Sequence, residues 1–255
     1  MKDLSIIIIN FNTKNLLKKC LDSIFKQTKG INFEVIVVDN GSADFSQKMV
    51  KERFPQVLLI ENQKNLGFAK ANNQGVKLAR SDYLLFLNSD TLIVDNALYK
   101  LVKFAQKNKN LGLCAPTLLL EDGSFQKGAF GPEPTLWQLT LGRFLKTKKI
   151  DWLSGAALLI KKDLFEKLGG FDENFFMYYE DVDLGKKVRE AGYEISVCPE
   201  AHVIHFLGQS IKKNRQRKLL YFQSQGHFYK KHYGFLAYLI LSLIRFPYKL
   251  CKILR

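Results

Sequence analysis

A few short stretches of this sequence bring together side chains able to do chemistry. In Asn88-Ser89-Asp90, directly after the apolar run Tyr83–Leu87, a carboxylate stands where a strand should end. A carboxylate there, facing a cleft, suits a hard divalent cation that bridges phosphate oxygens; it equally suits the cap of a following turn. Glu180-Asp181-Val182-Asp183 follows the aromatic run Phe175–Tyr179 and opens a helix. Acids at a helix start can simply complement its dipole. A carboxylate beside aromatic rings can also act as a general base toward a hydroxyl. Asp39-Asn40-Gly41-Ser42 offers either an acceptor for a nucleobase or ribose, or an Asx turn. Gly67, in Asn65-Leu66-Gly67-Phe68-Ala69, lies at the start of a helix whose free N–H groups could meet an anion. Ala69, Asn73 and Gly75 on that helix could equally be close-packing positions. His202 and His205, three residues apart, have the types of a metal pair or of a structural one.

These residues need a scaffold, and the first half of the chain supplies the pattern for one. Leu4–Ile9 is a β-branched run of the kind buried on both faces of a sheet. Thr13 is placed to cap a helix carrying Leu16, Leu17, Cys20, Leu21, Ile24 and Phe25 at helical period. Strands are predicted at Glu34–Val38, Val57–Ile60 and Tyr83–Leu87, with helices at Ser46–Arg53, Phe68–Ala79 and Asn96–Lys107. Repeated β-α units of this length imply a parallel sheet with helices on its faces, and ligands of such sheets sit beyond the carboxyl ends of the strands. Asn10, Asp39 and Asn88 are the polar residues at those ends. Further on, Gly123–Lys149 reads as a long mobile loop, a candidate lid. Trp152–Ile160 reads as a strand, Lys162–Leu168 and Asp181–Ala191 as helices, and Tyr193–Val197 as another strand.

Composition sets outer bounds. At 255 residues, with 47% hydrophobic and 25% charged residues, the chain is long and apolar enough for one sizeable core, which excludes a mostly disordered or repetitive protein. The four scattered cysteines form no C-x-x-C pair and fit a reducing compartment. Neither G-x-G-x-x-G nor G-x-x-x-x-G-K-[ST] occurs, so dinucleotide dehydrogenases and P-loop enzymes lack their phosphate loops here. The net charge is +15, and residues 205–255 carry eleven Lys/Arg and no Asp/Glu. That basic end includes Lys212, Lys213, Arg215, Arg217 and Lys218, then a stripe of Arg245, Lys249 and Lys252 between apolar residues, with Pro247 placed to interrupt the helix. A basic amphipathic segment lies in an anionic membrane interface; alternatively it packs on the body. The apolar run Phe235–Ile244 is about half of what a bilayer crossing needs. The start, Met1-Lys2-Asp3 before Leu4–Ile9, has no secretory pattern. The expected location is cytoplasmic, peripheral on the inner face of the cell membrane. A nucleic-acid-binding reading has only the tail in its favour, because no helix-turn-helix, RNA-recognition or zinc-finger signature is present.

Taken in series, Ser5–Asn10, Val37–Ser42, Asn65–Ala69 with Asn73, Leu87–Asp90, Trp152–Ala156, Gly169–Glu173, Glu180–Leu184 and His205 with Gly208 and Ser210 resemble the family 2 glycosyltransferases, particularly the rhamnosyltransferase-like branch. The resemblance covers about residues 4–210. It implies a GT-A fold, Rossmann-like, with a mostly parallel central sheet flanked by helices; the C-terminal helical basic tail (residues 211–255) lies beyond it and is read from its own residues. The resemblance implies an inverting transfer from a nucleoside-diphosphate sugar, of dTDP-rhamnose or UDP-hexose type, to a saccharide or lipid-linked saccharide in cell-surface polysaccharide synthesis. By the same resemblance Asp181 is the catalytic base, and Asp90 and His205 hold Mg²⁺ or Mn²⁺. Asn10, Asp39, Gly67 and Asn88 line the nucleotide-sugar site, and Trp152 and Glu180 flank the acceptor. Asn88 stands where many relatives carry Asp, so one carboxylate rather than two faces the cation. A non-catalytic sugar-nucleotide binder is the alternative within the same fold.

Overall fold

The computed structural model describes residues 2–136, 138, 149–206 and 214–253, without the side chains of residues 214 and 246–253. Its body is an eight-stranded sheet in the order β3-β2-β1-β4-β9-β6-β10-β5. The strands are β1 (Leu4–Asn10), β2 (Phe33–Asp39), β3 (Leu58–Glu61), β4 (Tyr83–Asn88), β5 (Thr91–Ile93), β6 (Leu111–Leu119), β9 (Ala157–Lys161) and β10 (Glu194–His205). A separate two-stranded ribbon pairs β7 (Phe130–Gly131) with β8 (Trp152–Leu153). Helices α1 (Lys14–Gln27), α2 (Ser46–Arg53), α3 (Phe68–Val76), α4 (Ala97–Lys107), α5 (Lys162–Lys167) and α6 (Glu180–Glu190) cover the sheet, and α7 (Asn214–Ile253) follows.

Alternation along the strands sorts side chains into two layers. Leu4, Ile6 and Ile8 of β1 pack with Leu17, Leu21 and Ile24 of α1 and with Leu98 and Leu101 of α4. Ile7, between them, faces the other way with Ala69 and Ala71 of α3, Phe165 of α5 and Leu184 of α6. Gly75 of α3 is a close-packing position, because a Cβ there would come within 2.6 Å of the Ile7 side chain.

Strands β1 to β4 are mutually parallel where they pair, as the β-α pattern implies. The second half departs from it. β9 runs antiparallel between β4 and β6, and β5 antiparallel to β10. Strand β6 was not anticipated, and it contains Pro116, which cannot donate to a ladder. The fold accommodates it because β9 pairs with β6 only at Leu113 and Cys114, leaving Pro116 matched to Cys198 of β10 alone. The predicted strand Trp152–Ile160 is instead two, β8 and β9, interrupted at Ser154-Gly155-Ala156.

Two further expectations are corrected. Thr13 makes no side-chain cap on α1; its hydroxyl bonds Asn10 Oδ1 and Ser89, and Asp44 takes the Lys14 N–H instead. The described part of the predicted mobile loop is laced to the body. Gln126 N–H bonds Leu118 O, Ser154 N–H bonds Ala129 O, and Asp151 N–H bonds Gly131 O. Glu133 binds Lys186, Arg189 and Tyr233. Residues 137 and 139–148 of that segment lie outside the described residues.

The tail is a helical hairpin. Gly234, at φ 82° and ψ 175°, breaks α7 into two limbs, so the interruption is there and not at Pro247. Tyr238 comes back against Gly226 and the Arg245 guanidinium over the Phe222 ring, so the limbs run antiparallel. The first limb docks on the body: Phe228 and Tyr229 are fully buried against Phe175, Tyr179 and Val182. Lys231 and His232 both reach Asp183 Oδ1 at 2.7 Å, and Lys231 also reaches Asp172 at 2.8 Å. Burial alone would raise the Asp183 carboxyl, but the bonds from His232 and Lys231 outweigh it and hold it below the usual range. The sequence boundary at 210/211 falls in a stretch outside the described residues, as do Gly208, Ser210, Lys212 and Lys213.

Candidate active site

The carboxyl ends of the central strands open into a cavity of about 1130 Å³. Asp90, His205 and Asp181, far apart in sequence, all line it, with Asn88, Gly67, Trp152 and Glu180. Asn10 and Asp39 do not.

The meeting of Asp90 and His205 follows from strand register. β10 runs on past Val197 to His205, whose partner across the antiparallel ladder is Thr91 of β5. Phe206 N–H then bonds Asp90 O at 2.9 Å. His205 Nε2 lies 3.2 Å from Asp90 Oδ1, and both side chains are almost wholly buried. Asp90 Oδ1 has no hydrogen-bond partner. A buried carboxylate oxygen left unpaired is costly unless something else satisfies it. One hard oxygen and one imidazole nitrogen facing the same space would supply part of a divalent-cation shell. Among the described residues no cluster of three or more His, Cys, Asp or Glu could hold a metal alone, so the remaining ligands would come from a bound diphosphate and water. His202 takes no part. Three residues from His205 on one strand, it points to the opposite face.

Asp181 is held at the start of α6. Its Oδ2 accepts the Gly155 N–H and its Oδ1 the Val182 N–H, each at 2.9 Å. The break between β8 and β9 is what frees the Gly155 N–H for this purpose. Burial pushes the Asp181 carboxyl up, against the lowering effect of those two N–H bonds. Glu180, beside it, is buried with Oε2 unpartnered. Burial first, and the neighbouring Asp181 charge second, raise Glu180 well above the carboxylate range. Of the two, Asp181 is the better seat for a negative charge, because two N–H groups point at its oxygens while Glu180 Oε2 has none. The turn that delivers them is strained: Tyr178 and Tyr179 both adopt left-handed backbone, at φ 70° and 67°.

The rest of the cavity divides by character. Phe130, Trp152, Phe176, Tyr178 and Tyr221 are among its aromatic lining residues; the Trp152 indole N–H is used on Pro132 O at 3.0 Å. Arg217 of α7 also lines it and, with His205, is one of two basic side chains to do so among the described residues. The basic-cluster pattern placed Arg217 toward lipid, so its position here is a finding of the structure. Toward β1 and β2 the lining residues are Asn40, Asn65 and Gly67. Gly67 has φ 85°, and a Cβ there would come within 2.5 Å of Phe176 O. At the start of α3, two N–H groups are taken: Gly67 bonds Asn65 Oδ1 and Phe68 bonds Phe176 O. Asn10 and Asp39 are register partners, locked by a 2.6 Å hydrogen bond. Asp39 Oδ1 also accepts from Ser42 N–H and Gln47. The Asx turn is therefore present, and both residues brace the cavity rim from outside its lining.

A model of glycosyl transferase family 2 matches residues 5–169. The N-acetylglucosaminyl-diphospho-decaprenol L-rhamnosyltransferase of Mycobacterium tuberculosis is 27% identical over 238 residues, covering 81% of this chain and 77% of that protein. The rhamnosyltransferase WbbL of Escherichia coli K12 is 25% identical over 224 residues, covering 79% and 82%. Among solved structures, the mannosyltransferase PcManGT of Pyrobaculum calidifontis, in complex with GDP-Man and Mn²⁺, superposes with a TM-score of 0.67 at 19% identity, over 91% of this chain and 66% of that one. Staphylococcus aureus TarS 1-349 does so with a TM-score of 0.62 at 18% identity, over 89% and 72%. With Asp90, Asp181 and His205 in one cavity on a GT-A-like sheet and the family model spanning most of the body, the chain belongs to glycosyltransferase family 2.

Proposed function

We propose that this chain is an inverting hexosyltransferase of rhamnosyl type. Its donor would be a nucleoside-diphosphate sugar and its acceptor a lipid-linked saccharide of cell-surface polysaccharide synthesis. The observation that carries the reading is the shared cavity of Asp181, the buried anion, and the Asp90–His205 pair. A sugar hydroxyl is a poor nucleophile until its proton is taken. Asp181 accepts that proton as the new glycosidic bond forms, and the bond from the anomeric carbon to the diphosphate breaks with its electron pair on the departing oxygen. Glu180, neutral beside it, adds no second negative charge and can donate to an acceptor oxygen. Asp90 and His205 would hold Mg²⁺ or Mn²⁺, which when bound neutralises charge on the leaving diphosphate. Arg217 adds a permanent positive charge to the same cavity. One base and no carboxylate nucleophile fit a single displacement with inversion. The nucleobase would lie toward Asn40, Asn65 and Gly67, with Asp39 and Asn10 behind them and Asn88 toward the sugar. The aromatic lining residues with Trp152 would take the acceptor.

Support for an anionic membrane surface as partner comes from the second limb of α7. Phe235, Leu236, Leu239, Ile240, Leu243 and Ile244 are exposed at one-face helical spacing, Leu236 at 71% and Leu243 at 72%. No helix among the described residues is long and apolar enough to cross a membrane. The test is release of nucleoside diphosphate from dTDP-rhamnose and UDP-hexoses, with a lipid-linked saccharide and Mn²⁺. Turnover that Asp181→Asn abolishes is expected. Tight donor binding without turnover would favour the non-catalytic alternative.

A further inference from the structure

His205 has two ring nitrogens, and their surroundings differ. Nε2 is close to Asp90 Oδ1 at 3.2 Å, yet that oxygen has no hydrogen-bond partner, so the contact is not an aligned N–H···O bond. Nδ1 lies 2.8 Å from Oε1 of Gln126. A carbonyl oxygen can only accept, so the proton of that bond sits on Nδ1 and Nε2 carries a lone pair. Asn88 Nδ2, an N–H donor 3.5 Å from Nε2, agrees with the same assignment. Gln126 is itself fixed. Its backbone N–H bonds Leu118 O at 2.9 Å, next to the bridge between Leu119 and Phe125, so it rides on the end of β6 beside β10.

We infer that Gln126 is a positioning residue that selects the Nδ1–H tautomer of His205 and thereby presents the Nε2 lone pair, with Asp90 Oδ1, to a divalent cation. The inference rests on the metal reading above. Without an acceptor at Nδ1, the buried carboxylate of Asp90 would draw the ring proton to Nε2 and block that nitrogen as a ligand. A partner on the second nitrogen also fixes the ring plane, and loss of such a partner typically costs 10–100-fold in metal affinity.

The experiment compares the full-length protein with Gln126→Leu, which cannot accept a hydrogen bond, and Gln126→Glu, which can. Nitrogen-15 NMR of the histidine rings, at a pH above the histidine range and without metal, reads the tautomer, with His205→Ala identifying the resonance. Mn²⁺ binding in the presence of UDP or dTDP is followed by electron paramagnetic resonance. The expected result is Nδ1–H in the wild type, a shift toward Nε2–H and a loss of about 10–100-fold in Mn²⁺ affinity in Gln126→Leu, and retention of both in Gln126→Glu. Wild-type protein already in the Nε2–H form overturns the inference whether or not the leucine variant folds. An unchanged tautomer and affinity in a folded Gln126→Leu overturns it too. Wild type that is Nδ1–H yet takes no Mn²⁺ with either nucleotide overturns the metal reading itself, and with it the purpose assigned to Gln126.

Discussion

Asp181 and Asn88 are joined through a single turn: Gly155 N–H bonds Asp181 Oδ2 at 2.9 Å, and Ala156 O, on the next residue, accepts the Asn88 N–H at 2.9 Å. Asn88 in turn stands beside His205. Asp181 and the Asp90–His205 pair are thus positioned by the same three-residue interruption between β8 and β9. Asp181→Asn cannot take a proton, and its single amide oxygen can accept only one of the two N–H bonds. Turnover should fall about 10²–10⁴-fold while nucleotide affinity, measured calorimetrically, stays within about twofold. Equal losses in both would remove Asp181 from the base role.

The acid limb of the rate profile should lie above the ordinary aspartate range of about 4, because burial raises Asp181 and the anion is the working form. Activity is lost as pH falls through that raised value. A limb at or below the ordinary range would contradict the buried-anion assignment.

Glu180 predicts a stability effect of defined sign. Its folded-state pKa is raised, so the native protein binds this proton more tightly than the unfolded chain. Stability from this group is present below the unfolded carboxylate value and declines as pH rises through the folded one. Glu180→Gln has no proton to lose, so its Tm relative to wild type should increase with pH. Parallel Tm curves over the whole range from the ordinary carboxylate value upward would refute this.

Glu133 acts in the opposite sense. Burial raises it, but Tyr233, Arg189 and Lys186 together bring it from 4.5 down to about 2. Its contribution is present above the unfolded value and is lost as pH falls from about 4.5 to about 2. Glu133→Gln should undock the α7 hairpin at a higher pH than wild type in an acid titration followed by tyrosine fluorescence. It should also lower Tm at neutral pH, since Lys186 and Arg189 lose the carboxylate they share and keep only Glu190 and Asp151 among the described residues.

For the exposed limb, the paired change Leu236→Glu and Leu243→Glu should cut binding to anionic vesicles about tenfold or more without altering turnover on a soluble acceptor analogue. Undiminished sedimentation with vesicles would remove this face from membrane contact.

Much of this was readable beforehand because strand ends carry local signals. The run before Asn88-Ser89-Asp90 and the β-α alternation located the first half of the sheet, and one face of the site followed. What escaped depends on pairing between distant segments. The extension of β10 to His205 is stabilised by β5, only three residues long, whose sequence carries no strand pattern of its own. Pro116 hid β6, and the Ser154–Ala156 turn hid inside an apolar run. Gln126 and Arg217 were missed because a glutamine in a polar loop and an arginine in a basic cluster look like any others until their neighbours are known. Asp39 and Asn10 stand at the strand ends where the pattern put them, bonded to each other and to an Asx turn.

The grip of the C-terminal hairpin on Asp183 matters for how this enzyme can be trimmed. Lys231 and His232 meet a carboxylate that is wholly buried, two residues beyond Asp181 on the same helix. A recombinant version cut back to the end of β10 would keep Asp90, Asp181 and His205, yet lose Arg217 and leave that carboxylate, among the described residues, with Lys187 at 3.4 Å as counter-charge. The shortest piece that carries the signature residues is therefore not the shortest piece that can hold them in register.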